Sequence, residues 1–276
     1  MSERGWVPDV EEVFVKHRAD APEGFFAAEA AGLTWLAETT PAGGVRTAPV
    51  LDVGTRHITL RRLRPGRADP AAAEDFGRRL AVTHAMGAAG FGTAPTGSPG
   101  KGWIGPLPMS VTNADDGADG PSGPTSWGIF FAAERIRPYL RLARDRGAVD
   151  RSGATVIDHV CDRLTSGDGD LTGPEEPVAR LHGDLWSGNV MWTPDGAVLI
   201  DPAAHGGHRE SDLAMLALFG APYLDRVLAA YHETRPLAPG WRRRVRVHQL
   251  FPLLVHAALF GSGYGDEAVD VARRYA

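Results

Sequence analysis

His182–Val190 reads HGDLWSGNV, and a little further on Leu199–Pro202 reads LIDP. Moving a phosphoryl group to a hydroxyl takes three things. A carboxylate must orient the hydroxyl and accept its proton, a metal must neutralise phosphate charge, and ligands on two segments must fix that metal. Asp184 and Asn189 have the separation of the Asp and Asn in a kinase catalytic loop. Asp184 is therefore the candidate base. Asn189 offers Mg²⁺ a neutral oxygen and Asp201 a charged one, the hard donors that this ion takes. Asp201 stands where kinases carry the metal-binding aspartate of DFG. A tight turn between two strands would also hold an Asp and an Asn. It gives no account of the second aspartate at the end of the next strand. His182 reads as a group that holds the loop through backbone carbonyls.

Working back toward the N-terminus, the chemistry calls for a cation on the α- and β-phosphates, held by a carboxylate from a helix. Lys16 ends the strand-like VFVK, close to the V-A-I-K pattern. Glu29 follows on the next helix, placed to pair with it. A surface lysine and a solvated glutamate are the plainer alternative. Lys16 and Lys101 are the only lysines among 29 basic residues. Coding bias accounts for the arginines, and a lysine kept in such a chain is a candidate for work that arginine does not do.

Alternation makes Glu12–Lys16 a strand, and apolar spacing makes Phe25–Thr39 a helix with Phe26, Ala30, Leu33 and Leu36 on one face. Pro49–Leu51 and His57–Leu60 read as strands about a turn at Gly54. Arg64–Pro70 is a link, and Ala71–Met86 a helix. Gly87–Ser126 is irregular and dense in glycine and proline, with Asn113–Pro124 reading as a mobile surface loop. Helices follow at Trp127–Arg146 and Gly153–Leu164. Val178–Leu181 and Ala197–Ile200 are short strands flanking the motif. From Glu210 the chain reads as helices punctuated by Pro222, Pro236 and Pro252.

At 276 residues, 43% hydrophobic and 23% charged, the composition is that of a folded chain. A net charge of −5 disfavours nucleic acid or an anionic membrane as partner. Cys161 stands alone, so an intramolecular disulfide is excluded, and it reads as a small helix residue. Met1–Asp20 has no apolar signal-peptide core, and Leu250–Phe260 is too short to span a bilayer. The expectation is a cytoplasmic monomer.

The chain resembles the fructosamine kinases, also called ketosamine-3-kinases. The likeness lies in HGDLWSGNV, in LIDPAAHGGHRESDLAMLALFG (Leu199–Gly220), and in VFVKH followed by FFAAEAAGL. It implies an α+β, two-lobe, protein-kinase-like fold, with an N-terminal lobe over 1–66 and a mainly helical lobe over 67–276. It implies ATP and Mg²⁺ as cofactors and a sugar-amine or glycated protein as acceptor, phosphorylated at the 3-hydroxyl. The phosphorylated adduct is unstable, which makes the reaction a repair of glycated amines. The resemblance carries over Asp184 as base, Asn189 and Asp201 as metal ligands, Lys16 on phosphate and Glu29 behind it. Trp186 would lie against the substrate, its indole suited to a sugar face or a cationic amine; packing is its other reading. His208, Arg209, Glu210 and Asp212 would steady the metal loop and the helix after it. A metal-hydrolase reading of His205, His208 and Asp212 lacks an HExxH partner.

The sequence departs from the family in three places. Only Met1–Glu12 precede the lysine strand, with Gly5 the sole glycine, so the glycine-rich hairpin over the phosphates is expected to be absent or reduced to Gly5–Val7. In Gly102–Val111, Ile104, Gly105 and Pro108 fit the family pattern. Met109 and Val111 replace an expected Gln and Asn, and Gly102 and Trp103 do not restore a first Asn. Arg61 stands in the expected hinge where an acid is common. These departures keep open a kinase for another small acceptor, such as an aminoglycoside or amino alcohol, and a non-catalytic nucleotide-binding homologue.

Overall fold

The structure is a computed structural model and describes residues 12–112 and 126–276. The expected Gly5–Val7 strand and the Asn113–Pro124 loop lie outside the described residues. Alternation in VFVKH gives β1 (Val13–His17), which pairs antiparallel with β4 (His57–Arg61). β4 also pairs with β3 (Val50–Val53), so the strand order is β1-β4-β3. Helix α1 (Phe25–Ala37) packs on this sheet through Phe26, Ala30 and Leu33, against Ala48, Ile58 and Leu60. The same packing turns Glu29 inward.

A second sheet joins the two ends of the chain. β2 (Arg46–Thr47) pairs in parallel with β9 (Gly196–Leu199), and β9 pairs antiparallel with β8 (Val190–Thr193). β2 is too short to show in the sequence pattern. β7 (Ala179–Leu181) pairs with β10 (His205–Gly207). From β7, Arg180 lies 4.2 Å above the Trp35 ring, and donates to Trp35 O at 2.6 Å and to Glu38 at 2.9 Å. Residues on either side of the expected boundary at 66/67 are thus held by backbone pairing and by a stacked guanidinium.

Helix α2 (Pro70–Ala85) starts at Asp69, whose side chain accepts from Ala72 N at 2.8 Å, with Pro70 in the first turn where its missing N–H costs nothing. The expected irregular stretch contains a hairpin of β5 (Gly102–Ile104) and β6 (Leu107–Met109). The expected helix from Trp127 is α3 (Trp127–Phe130), a π-helical segment (Phe131–Ile136) and α4 (Arg137–Asp145) in succession. α5 (Arg151–Thr165) is capped by Asp150 and carries the buried Cys161. Burial pushes its thiol up to about 12, so it is chemically quiet.

After the short α6 (Gly169–Thr172) come α7 (Arg209–Phe219), α8 (Leu224–Thr234), α9 (Trp241–Phe260) and α10 (Ser262–Ala272). Pro252, expected to punctuate the helices, instead lies inside α9. An interior proline costs about 3 kcal/mol. Val247, Leu250, Phe251, Leu253, Leu254 and Ala257 are all buried around it, and that burial outweighs the cost. No helix among the described residues is long and apolar enough to cross a membrane.

A hydrophobic core lies behind the motif. Leu185 and Val190 sink into the cluster of Phe76, Leu80, Leu199, Leu216 and Tyr231. That anchors HGDLWSGNV from below and leaves Asp184 and Trp186 on its open side. Arg180→Ala should lower stability by about 2–3 kcal/mol through lost stacking and unmet carbonyls. Urea unfolding measures this; an unchanged midpoint would remove Arg180 from the joint.

Candidate active site

The loop after β7 is held from behind. Asp212, in the first turn of α7, accepts from His182 N at 2.8 Å and from Gly183 N at 3.0 Å. His84 Nε2 lies 3.2 Å from the same carboxylate, and His84 Nδ1 meets the Tyr231 hydroxyl at 2.9 Å. Burial alone would raise Asp212, but these donors and nearby histidines hold it below the usual carboxylate range. Gly183 has φ +81°, and a Cβ there would lie 2.1 Å from Ala203 O, so only glycine fits. The buried His182 ring accepts from Asp184 N at 3.2 Å and meets Ile200 O at 2.9 Å. It therefore fastens the loop to the LIDP strand, as the sequence suggests.

Five expected residues come together in one cleft. Lys16 Nζ lies 2.8 and 2.9 Å from the two Glu29 oxygens, and 2.9 Å from Asp201 Oδ1. Burial pulls the ammonium down, but Glu29 and Asp201 outweigh it and keep Lys16 above its ordinary value. Asn189 Nδ2 donates to Asp184 O at 2.8 Å and to Asp184 Oδ2 at 3.1 Å, which leaves its amide oxygen as the free acceptor. Asp201 has φ 53°, a left-handed conformation uncommon outside glycine. Its side chain is 41% exposed, so the carboxylate reaches Lys16 and still faces the cleft. Burial, with the charges of Asp201 and Asp212, pushes Asp184 up to about 6 against the pull of Asn189.

The cleft is about 280 Å³. Trp186 lines it beside Asp184, 39% exposed. Its indole folds over Gly188, where a Cβ would come within 2.2 Å of the ring. The far wall is the β5–β6 hairpin, with Gly102, Trp103, Met109 and Val111 facing in. Trp103 meets Phe25 of α1 edge-on at 5.6 Å, and Lys101 pairs with Glu23 at 3.1 Å on the rim.

The 208–212 segment steadies the helix that follows, as expected: His208 caps α7 by accepting from Glu210 N at 3.2 Å. Asp212 grips the 182–183 backbone and not the Asp201 segment. Glu210 takes Arg244 at 2.6 and 3.0 Å, and Arg209 takes Glu176 at 2.5 and 2.6 Å. His208, Glu210 and His248 cluster closely enough to hold an ion. Arg244 already supplies the positive charge there. Of the residues that the sequence does not single out, His84 and Phe25 matter most. His84 carries no motif, and its link to Asp212 joins residues 128 apart in the sequence.

Residues 5–275 match the fructosamine kinase family. The chain belongs to that family. A probable ketoamine kinase of Synechocystis sp. is 32% identical over 269 residues, 96% of this chain and 83% of the relative. A Thermobifida fusca protein of solved structure, provisionally assigned as a fructosamine-3-kinase, is 47% identical with a TM-score of 0.83, covering 95% of this chain and 84% of that one. An ADP-bound aminoglycoside phosphotransferase, 12% identical, has a TM-score of 0.61 and covers 96% of this chain and 88% of its own; it shares the fold. This fructosamine kinase family member is a phosphotransferase, has the α+β protein-kinase-like fold, and draws on ATP.

Asp212→Asn removes a charge-assisted acceptor and sets an amide N–H₂ beside backbone donors. Stability should fall by about 2–4 kcal/mol, with turnover falling as the loop loosens. Urea unfolding and kcat together check this; full stability would contradict the clamp. A pH effect follows from the buried histidines. Burial pushes His205 and His208 from 6.5 down to about 3, so both stay neutral in the fold and take a proton on unfolding. The stability they contribute is complete above pH 6.5 and drains as pH falls toward 3. Between pH 6.5 and 5 the loss should be on the order of 2 kcal/mol for each. Urea midpoints at the two pH values measure it, and a flat profile would contradict neutral burial.

Proposed function

We propose that the chain phosphorylates the 3-hydroxyl of a ketosamine with ATP, within two lobes of about the expected bounds, 1–66 and 67–276. The observation that carries this is the convergence of Lys16, Glu29, Asp184, Asn189 and Asp201 on one cleft with Trp186 at its side. Asp184 is the base. Burial makes it a better proton acceptor than an ordinary carboxylate while leaving it ionised at neutral pH. It takes the hydroxyl proton as that oxygen bonds to the γ-phosphorus, and the bond to the ADP oxygen breaks. Asn189 steadies Asp184 through its amide N–H₂. Lys16 is positioned by Glu29 to meet the α- and β-phosphates.

The donor set suits Mg²⁺. The Asn189 amide oxygen and the exposed part of the Asp201 carboxylate are hard oxygens on two segments. Asn189 and Asp201 would hold the ion, which neutralises phosphate charge when bound. Trp186 lies against the sugar or its amine. Phosphorylation that labilises the adduct makes repair of glycated amines the fitting role. A second reading, another small acceptor, is favoured by Met109 and Val111, which face the cleft where amides are expected.

The test is Mg²⁺-dependent ADP release with a fructosyl-amine, beside an aminoglycoside and an amino alcohol. Asp184→Asn should cost at least ~10²-fold in kcat. Turnover confined to the aminoglycoside or the amino alcohol would establish the second reading. A fully active Asp184→Asn enzyme would remove Asp184 as base.

A further inference from the structure

Arg135 is a buried guanidinium, 1% exposed, on the π-helical segment (Phe131–Ile136) between α3 and α4. Wide turns of this kind often accompany functional sites. Nη1 donates to Ser110 O at 3.0 Å and to Glu134 O at 3.1 Å. Nε and Nη2 have no partner among the described residues. Burial pulls Arg135 down to about 10, so it still carries its charge at neutral pH. Phe130 at 4.6 Å and Phe251 at 5.9 Å offer it ring faces. No carboxylate among the described residues bonds to it.

Three other arginines show what the Nε/Nη2 edge takes in this fold. Arg209, Arg244 and Arg163 each set that edge on one carboxylate, of Glu176, Glu210 and Asp168, at 2.5–3.0 Å. The edge is a planar fork of two parallel donors, shaped for an anion. A charge buried without a counter-charge is far costlier than one that is paired. Arg135 also lines a small cavity of about 20 Å³, with Gly183, His205, Asp212 and Phe251 among the other walls. Room of this order holds one water-sized body. Acetate and phosphate are too large for it, and a halide ion is not. Asp212 is the sole carboxylate on the walls, and its oxygens are taken by His182 N, Gly183 N and His84. His248 Nε2, also without a hydrogen bond, lies 3.4 Å from Glu210 and is compensated there.

We propose that Arg135 binds a monatomic anion of the halide class, chloride first among them, in this cavity through its Nε and Nη2 N–H groups. The ion supplies the negative charge that the neighbouring side chains do not. A water molecule would meet the two N–H groups and leave the charge unbalanced. The position gives the ion a structural reach. Arg135 holds the carbonyl of Ser110, between Met109 and Val111 of the cleft wall, and Gly183 of the catalytic loop also lines the cavity. An ion here braces the cleft wall and the loop from behind. Asp184, Asn189 and Asp201 do not line the cavity, so the site is separate from the cleft and independent of which acceptor the cleft takes.

The test is the thermal midpoint of the dialysed protein in sodium chloride and in sodium gluconate at equal ionic strength, gluconate being too large for the cavity. Chloride at about ten times its Kd should raise the wild-type midpoint by about 3 °C over gluconate. Arg135→Met, unbranched and uncharged, should lose that difference. The same midpoint in both salts, or the same chloride gain in Arg135→Met, would overturn the site. If Arg135→Met does not fold, wild-type crystals grown in bromide decide the matter. An anomalous peak within hydrogen-bond reach of Arg135 Nε and Nη2 supports the site, and no peak there overturns it. A bromide peak with no chloride effect in solution marks an adventitious ion only, and that also overturns it.

Discussion

A carboxylate shut away from water must be surrounded by donors, and Asp212 is fully enclosed. It receives the backbone N–H groups of His182 and Gly183 and the His84 ring. This one group joins helix α7 to the loop that carries Asp184, Trp186 and Asn189. It also leans on α2 through His84 and on α8 through Tyr231. With Leu185 buried beneath, the loop has little freedom left. Asp184 can then be raised to about 6 by burial and neighbouring charge without the loop moving to relieve it.

The second joint is Lys16. Its ammonium touches Glu29 of α1 and Asp201 of the LIDP segment, so one cation links the first sheet, the first helix and the C-terminal part of the chain. The left-handed backbone of Asp201 is sustained by that contact and by the His182 bond to Ile200 O beside it. The β2–β9 pairing and the Arg180–Trp35 stack hold the same two halves elsewhere. The cleft is thus framed by several independent ties.

Much of this was legible in the sequence where local pattern and chemistry coincide. VFVK is a strand because it alternates, and the lysine that ends it meets the glutamate that its helix turns inward. HGDLWSGNV and LIDP were readable because their chemistry demands fixed spacing. What escaped was set by tertiary packing. β2 is two residues long and exists because β9 lies beside it. Pro252 sits inside α9 because burial on its neighbours outweighs a local penalty. His84 and Asp212 meet across the fold, and no motif marks His84. The expected glycine-rich hairpin lies outside the described residues.

The central claim is that this cleft carries a phosphoryl group to the 3-hydroxyl of a sugar-amine. The direct measurement is phosphorus–proton correlation NMR of the product formed from fructosyl-lysine, ATP and Mg²⁺. The account predicts a phosphomonoester signal coupled to the proton on the third sugar carbon. Phosphate on another carbon, or no phosphomonoester while ATP is bound, would contradict it.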